Sequence, residues 1–384
     1  MRIGRPTLAS KLSQYAGIGS VTESRKPSQW PEPSSLPKGH PHLGVRNRWC
    51  MLGTSDLVAD DPVPFRALGE DLVLWRDGDG AAQLMSDRCP HRGARLSVGD
   101  DVDGELQCWY HGWRFDPTGQ CTSVPTQGGA CSLADRTTID VAYRVEEQAG
   151  YLWAWIGESE PAPLLLPDEM TDDSWSTFPE TVIWQANWML ALENLVDIMH
   201  APFLHARSIT LNGGVTADRV AVTDTAHGFE VSRKNQAGVN FDWVEVVLDP
   251  LPYVRLDIPL PPSAGSGPPL RILGFLTPSD NDRTVVHFPR FRQVSGRERK
   301  IWRSLYKARL RGTHMHVLNQ DKAMLEGMRT VEEARADEHL AQADRPVVHL
   351  RRAIDAACAD QRQHFGIETE LTAVAEPFEE DVTA

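Results

Sequence analysis

Cys89 and His91 form a C-x-H pair, Cys108 and His111 form a C-x-x-H pair, and sixteen residues separate His91 from Cys108. Two thiolates suit one iron of a [2Fe–2S] cluster and two neutral imidazoles suit the other; an iron held by two histidines is easier to reduce than an all-thiolate one. Such a centre passes one electron at a time. Zinc takes the same ligand types, but its pairs usually run C-x2–4-C and H-x3–5-H. One cysteine plus one histidine in each pair, at spacings of one and two, fits that pattern poorly.

The flanking residues agree with a cluster of the Rieske type. In Cys89-Pro90-His91-Arg92-Gly93 the proline stiffens the loop, and Gly93 supplies backbone freedom where the chain must wrap the ligand. Cys108-Trp109-Tyr110-His111-Gly112-Trp113 repeats the plan with aromatics able to shield the centre from water.

A second constellation lies in the run Glu193 to His205. Read as one helix, Glu193, Asp197 and His200 fall at i, i+4 and i+7 on one face. His205 sits five residues after His200, about 140° further round a regular helix, so two imidazoles meet one metal only if the helix is distorted. Pro202 is expected to kink or end it, because it cannot donate to the carbonyl four residues back. Two histidines need a carboxylate to make the facial triad of non-haem Fe(II) oxygenases. Asp197 is too close to His200 to converge easily on the same ion. Asp321, in a helical stretch expected from about Arg297 to His339, is the better candidate, with Glu193 and Glu326 as competitors.

The elements that must position these residues change character near residue 160. Residues 42 to 158 alternate short apolar runs with turn residues, as in Asp71 to Trp75 before Asp77-Gly78-Asp79-Gly80, and Gly150 to Trp155 before Gly157. That pattern predicts an all-β module of short strands. Pro161, Pro163 and Pro167 then mark a linker. Pro27 to Pro41 holds five prolines and three serines and reads as an extended lead-in. Past Arg362 the chain has acids but no Lys or Arg, and this tail is expected to fray. The expected organisation is an arm at 1–41, a cluster domain at 42–160, a second domain at 161–366 and an acidic tail at 367–384.

At 384 residues, 41% of them apolar, the chain is long enough for two cores. A net charge of −14 argues against nucleic acid as a partner. Cys50, Cys121, Cys131 and Cys358 are scattered without disulfide-like spacing, which points to a reducing compartment, the cytoplasm. No apolar run approaches the roughly 18 to 20 residues of a membrane span. The first 22 residues carry Arg2, Arg5 and Lys11 and no acid; they lack a secretory apolar segment and are expected to be a loose arm.

Taken together, the cluster motif, the H-x4-H pair and the late aspartate resemble the oxygenase (α) component of the Rieske non-haem iron oxygenases, of the phthalate, phenoxybenzoate, vanillate and dicamba type. Asn187-Trp188 before Glu193-Asn194, Thr277-Pro278-Ser279 leading into Thr284 and on to Arg292, and Arg351-Arg352 add to the likeness, which runs from roughly residue 42 to 355. The resemblance implies an α+β architecture: an N-terminal all-β Rieske domain, then a helix-grip (START/Bet v1-like) catalytic domain with a curved antiparallel sheet. It implies that Cys89 and Cys108 bind one cluster iron, His91 and His111 the other, and that His200, His205 and Asp321 hold a catalytic Fe(II). Asn194 would sit near that iron without binding it. Asp197 would link His111 of one subunit to His200 of its neighbour, which implies a head-to-tail homotrimer.

The implied reaction uses O2 and electrons from NAD(P)H to hydroxylate or O/N-demethylate an aromatic or similar small molecule, with ring cis-dihydroxylation as the alternative. No G-x-G-x-x-G fingerprint is apparent, so electrons come from a separate reductase, with or without a ferredoxin. The basic run Arg297, Arg299, Lys300, Arg303, Lys307, Arg309 and Arg311 is either a docking site for an acidic redox partner or a solvated helix face. Arg255 and Arg271, in strand-like segments, either anchor a substrate carboxylate or serve the structure.

Overall fold

The computed structural model describes residues 34–59, 61–128, 133–208, 211, 213–260, 268–328, 330–336 and 338–368. Residues 1–33 of the expected arm, Cys131 and the tail from 369 lie outside them. The chain divides into two compact units, one built on Met51–Pro161 and the other on Lys38–Cys50 together with the chain from Ala162.

In the first sheet, β1 (Arg48–Thr54), β2 (Val63–Ala67), β3 (Glu70–Arg76), β4 (Ala82–Ser86), β9 (Ala142–Gln148) and β10 (Tyr151–Ile156) run in the order β1-β10-β9-β4-β3-β2. A second, four-stranded sheet follows chain order: β5 (Asp100–Val102), β6 (Glu105–Gln107), β7 (Arg114–Phe115) and β8 (Cys121–Ser123). The turns behave as their residues require. Between β9 and β10 the two loop residues Ala149 and Gly150 both have positive φ, 54° and 78°, which suits the twist of a tight hairpin. Between β3 and β4 the Asp77 carboxylate accepts the N–H groups of Asp79 and Ala81 at 3.0 and 2.9 Å. One cluster loop leaves β4 and enters β5; the other joins β6 to β7.

The second unit is a nine-stranded antiparallel sheet whose main path is β11-β19-β17-β16-β15-β14-β13, with β12 paired to β18 beside it. These are β11 (Trp175–Phe178), β12 (Thr181–Trp184), β13 (Val220–Thr225), β14 (Gly228–Arg233), β15 (Trp243–Val247), β16 (Tyr253–Ile258), β17 (Leu270–Asp280), β18 (Arg283–His287) and β19 (Arg290–Gln293). The long β17 pairs with β16 and β19 near its start and with β18 further on, so the sheet splits and curves there. Strands β14 and β16 alternate buried with half-buried residues, the period-two pattern of a sheet with one apolar face. Phe229, Val231, Val244, Val246, Val254, Leu256 and Ile258 form that face and join one core with Met189, Leu192 and Leu195 of the helix Trp188–Val196. Each such burial stabilises the unit by roughly 2 kcal/mol.

Lys38–Cys50 goes with this unit because its backbone is tied there. Trp188 Nε1 donates to the Pro41 carbonyl at 3.2 Å, Asn187 Nδ2 to that of His42 at 3.0 Å, and Arg46 N–H to Gln361 Oε1 at 2.8 Å. Asn187 also caps the helix Trp188–Val196, its Oδ1 accepting the Met189 N–H at 2.9 Å, the usual service of an N-cap asparagine.

Two helical expectations are corrected. Glu193, Asp197 and His200 do not share a helix: it ends at Val196, and Asp197 turns extended at φ −78°, ψ 93°. Pro202 does not cause that break. It sits in the first turn of a new short helix, Ala201–Leu204, where a missing N–H costs nothing. The stretch expected from 297 to 339 is a helix at Gly296–Leu305, a five-residue π-helical passage at Tyr306–Leu310 and a helix at Arg311–Leu325, with a separate short helix at Val331–Ala336. Among the described residues no helix is long and apolar enough to cross a membrane.

Candidate metal centres

The two cluster loops close in the same way. Cys89 N–H donates to the Ala94 carbonyl at 2.8 Å and Gly93 N–H donates back to Cys89 at 2.8 Å; Cys108 and Gly112 repeat this with Trp113 and Cys108, at 2.8 and 2.9 Å. Gly93 and Gly112 have φ of 72° and 73°, a region costly for any residue with a Cβ. Both loops thus need glycine four residues after the cysteine.

This closure buries Cys89 and Cys108 in the apolar core with Trp75, Leu106, Trp113 and Phe115. Contact between the two thiols pushes Cys89 up and Cys108 down, the latter to about 6. The histidines lie outward. His91 is exposed and His111 half-buried, with ring centroids 4.6 Å apart and His91 stacked on Trp113 at 4.5 Å. Asp87, fully buried, holds the first loop by accepting from Ser97 N–H at 2.7 Å and from Arg95 at 2.9 Å. The four residues present a sulfur end and an imidazole end.

The second centre does gather around one point. His200 Nε2 and His205 Nε2 are 3.3 Å apart, and Asp321 Oδ1 lies 3.5 and 3.1 Å from them. Three ligands each about 2.1 Å from a shared ion and at right angles would stand about 3 Å apart, so the triangle fits one ion. His200 and His205 flank the helix Ala201–Leu204 at its two ends, and that single turn brings together rings that a continuous regular helix would hold apart.

Each ring is oriented from behind. His200 Nδ1 faces the Asp197 carbonyl at 2.5 Å, and His205 Nδ1 faces Gln320 Oε1 at 3.1 Å. With those two nitrogens as donors, both Nε2 lone pairs point to the centre. Gln320 is itself fixed by donating to the Leu204 carbonyl at 3.1 Å. Burial works to raise the Asp321 carboxyl, but its contacts with His200 and His205 outweigh that and hold it below the usual carboxylate range. Burial works to lower His200, and Asp321 outweighs it, raising the imidazole. Asp321 Oδ1 is buried with no hydrogen-bond donor, a costly state for a carboxylate that a cation relieves.

Other candidates fall elsewhere. Glu193 is engaged by Arg351 at 2.7 and 2.9 Å, and Glu326 accepts the Gln185 N–H at 2.8 Å, so neither completes the triangle. Asp197 keeps its carboxylate partly exposed: Oδ1 accepts the Met199 N–H at 2.8 Å, and Oδ2 stands 3.9 Å from His200 Nδ1. Arg271 is held by Asp257 at 2.8 Å and by Glu169 at 2.8 Å, while Arg255 pairs with Glu245 and Glu169. Both arginines are paired with carboxylates of their own chain. In the basic run, Arg299 and Arg303 donate to main-chain carbonyls of Trp175 and Thr177, and Arg311 pairs with Glu180.

A pocket opens beside the triangle, with ≈ 540 Å³ of atom-free space including its mouth. Leu256, Ile258, Ile272, Phe241 and Phe288 give it an apolar wall, and Asn194 Oδ1 lies there buried and without a partner. Sequence reasoning missed Gln320, Arg290 and His314. Only the adjacency of Gln320 to Asp321 hinted at the first; the other two depend on how β19 and the helix Arg311–Leu325 face the pocket.

The chain thus has a β unit with two matching Cys/His loops and, on a curved sheet, a His200, His205, Asp321 triangle that could hold one metal ion. Residues 47–137 match the model of the Rieske [2Fe-2S] domain, and residues 184–360 that of the vanillate O-demethylase oxygenase C-terminal domain. The chain is 25% identical to the phthalate 4,5-dioxygenase oxygenase subunit of Pseudomonas putida, over 85% of this chain and 84% of that one. It is 32% identical to the vanillate O-demethylase oxygenase subunit of a Pseudomonas species, over 43% and 46%. Across four further curated relatives the match covers 25% to 52% of their length. A dicamba monooxygenase crystal structure shares the fold, at TM-score 0.64 and 22% identity over 82% of this chain and 98% of that one. The chain carries a Rieske [2Fe-2S] domain followed by a domain of the vanillate O-demethylase oxygenase C-terminal family.

Proposed function

We propose that the chain is the terminal oxygenase of a multicomponent system. It takes electrons from NAD(P)H through a separate reductase, with or without a ferredoxin, and hydroxylates or O/N-demethylates an aromatic or similar small molecule. The observation that carries this reading is the His200, His205, Asp321 triangle opening on an apolar pocket in a chain that also holds a Rieske domain. When bound, the cluster supplies single electrons and the Fe(II) supplies oxygen activation.

The residues do the rest. Cys89, Cys108, His91 and His111 would hold the cluster, and His200, His205 and Asp321 would hold the iron. Asn194 lines the pocket without binding the metal. The apolar wall keeps water out and holds the substrate in reach. Asp197 connects His111 of the partner subunit to His200 in a homotrimer; its part-exposed carboxylate, 3.9 Å from His200, supports that role. Exposed Arg297, Lys300, Lys307 and Arg309 suit an acidic redox partner.

The test is a single turnover under 18O2 with the cluster chemically reduced and a panel of aromatic methyl ethers and arenes present. The proposal expects cluster reoxidation with one labelled oxygen in the product or in released formaldehyde. Reoxidation without label in any product would contradict it.

A further inference from the structure

Trp113 touches a candidate ligand in each of the two cluster loops. Its carbonyl accepts the Cys108 N–H at 2.8 Å and so closes the second loop. Its side chain lies on the first: the indole stacks on His91, with centroids 4.5 Å apart and planes 8° from parallel. Ala94 holds the equivalent place in the first loop, accepting the Cys89 N–H at 2.8 Å, and its methyl group offers the second loop no ring. The coupling therefore runs one way, from the second loop to the first.

His91 is exposed on its loop, and its ring meets two aromatic neighbours. Trp113 covers one face, and His111 stands across it at 4.6 Å with 67° between the planes. In the mononuclear site the rings are aimed differently, by the Asp197 carbonyl behind His200 and the Gln320 amide behind His205. A stacked indole can do for His91 what those oxygens do there, because a flat face restricts rotation of the ring laid on it.

Trp113 is itself firmly placed. It is 4% exposed and packs in the core with Cys89, Cys108, Leu106 and Phe115. Its Nε1 is buried without a partner, so phenylalanine in its place would break no hydrogen bond made by the chain. His111 Nδ1 is buried and unpartnered as well, a costly state that an iron bound there relieves.

We propose that Trp113 is a positioning residue for the cluster. It binds no iron; its indole fixes the plane of the His91 ring, and its carbonyl at Cys108 ties that ring to the second loop. The inference rests on the reading of Cys89, His91, Cys108 and His111 as the Rieske ligands. Partners that orient a ligand set how tightly it holds its metal, so an exposed histidine without its stack should let go sooner.

The test compares Trp113→Phe, which keeps a flat ring, with Trp113→Leu, which keeps apolar bulk without one, in the anaerobic holoprotein. Reduced samples are read by EPR, and cluster loss to an iron chelator is followed by bleaching of the visible absorbance. In the leucine variant the EPR lines should broaden, since a freer His91 ring takes up more orientations. Its cluster should bleach about tenfold faster or more. The phenylalanine variant should keep line widths and bleaching close to wild type. Trp113→Met, whose flexible chain can fill the same gap, carries the test if the leucine variant does not fold. A folded leucine or methionine variant that holds no cluster, beside a phenylalanine variant that does, supports the proposal equally. Wild-type line widths and bleaching in the folded leucine and methionine variants would overturn it, whatever their melting temperatures, because a mere core filler would change only those. Loss of the signal in phenylalanine and leucine variants alike would overturn it too. Absence of a Rieske-type signal from the wild-type protein would overturn the cluster reading and this inference with it.

Discussion

His205 and Gln320 meet at 3.1 Å, imidazole Nδ1 to amide Oε1, and Gln320 immediately precedes Asp321, the third member of the candidate metal triangle. One helix therefore supplies both a member of the triangle and the group that aims another. Gln320→Leu should weaken iron binding by about 10- to 100-fold, the usual cost of losing such a partner, and leave the Rieske EPR signal unchanged. Gln320→Glu, which keeps an acceptor, should recover most of it. Equal iron affinity in the leucine variant and wild type would show that Gln320 does not orient the ring.

Asp321→Ala should lose the mononuclear iron and keep the cluster, because Glu193 and Glu326 are already committed to Arg351 and to the Gln185 N–H. Metal analysis should fall from about three irons per chain to about two. Full iron in the variant would mean that another carboxylate can take its place.

For Asp197→Asn the structure separates two roles. The main-chain carbonyl that orients His200 is unchanged by the substitution, and an asparagine Oδ1 can still accept the Met199 N–H. Both metal centres should remain, yet steady-state turnover should drop by about 100-fold or more, about 2.7 kcal/mol in barrier. Wild-type turnover would refute the relay.

Behind the site, Arg351 joins Glu193 of the helix Trp188–Val196 to Glu338. It is 4% exposed, so Arg351→Leu strands two partly buried carboxylates. The second unit should lose about 3 kcal/mol in denaturant unfolding, and the double variant Arg351→Leu, Glu193→Leu should recover part of that. An unchanged midpoint for the single variant would mean the network carries no stability.

His314 gives a pH dependence. Its folded value is depressed to about 3 from an unfolded value near 6.5, so below pH 6.5 the unfolded chain binds a proton that the folded chain refuses. Stability from this group is complete above pH 6.5 and is lost as pH falls toward 3, with a slope of up to about 1.4 kcal/mol per pH unit. His314→Phe should make acid unfolding less steep by that amount. Parallel curves for the two proteins would show that His314 titrates freely.

Much of this site was legible in the sequence. Cysteine and histidine spacing marked the two matching loops because loop closure is local: in both, the cysteine N–H and the glycine four residues later complete the turn. His200, His205 and Asp321 were legible as residues, but not the manner of their meeting. Pro202 looked like a helix breaker, whereas the chain had already left the helix at Asp197, and proline simply began the next turn. Residues whose roles depend on distant partners were opaque. Arg255 and Arg271 could be read from sequence either as substrate anchors or as structural residues, and only β15, β16 and Glu169 show the carboxylates that engage them. Arg290, at the start of β19, and His314, on the helix Arg311–Leu325, reach one pocket only through the tertiary fold. The curved sheet came from family resemblance, since alternation identifies strands without their order.

The central claim is that one chain holds both a Rieske cluster and a separate mononuclear iron. Iron and acid-labile sulfide per chain on anaerobically purified protein, with EPR of the reduced sample, test it most directly. The account predicts about three irons and two sulfides with a Rieske-type signal. Two irons that do not rise on Fe(II) reconstitution, or zinc without sulfide, would contradict it.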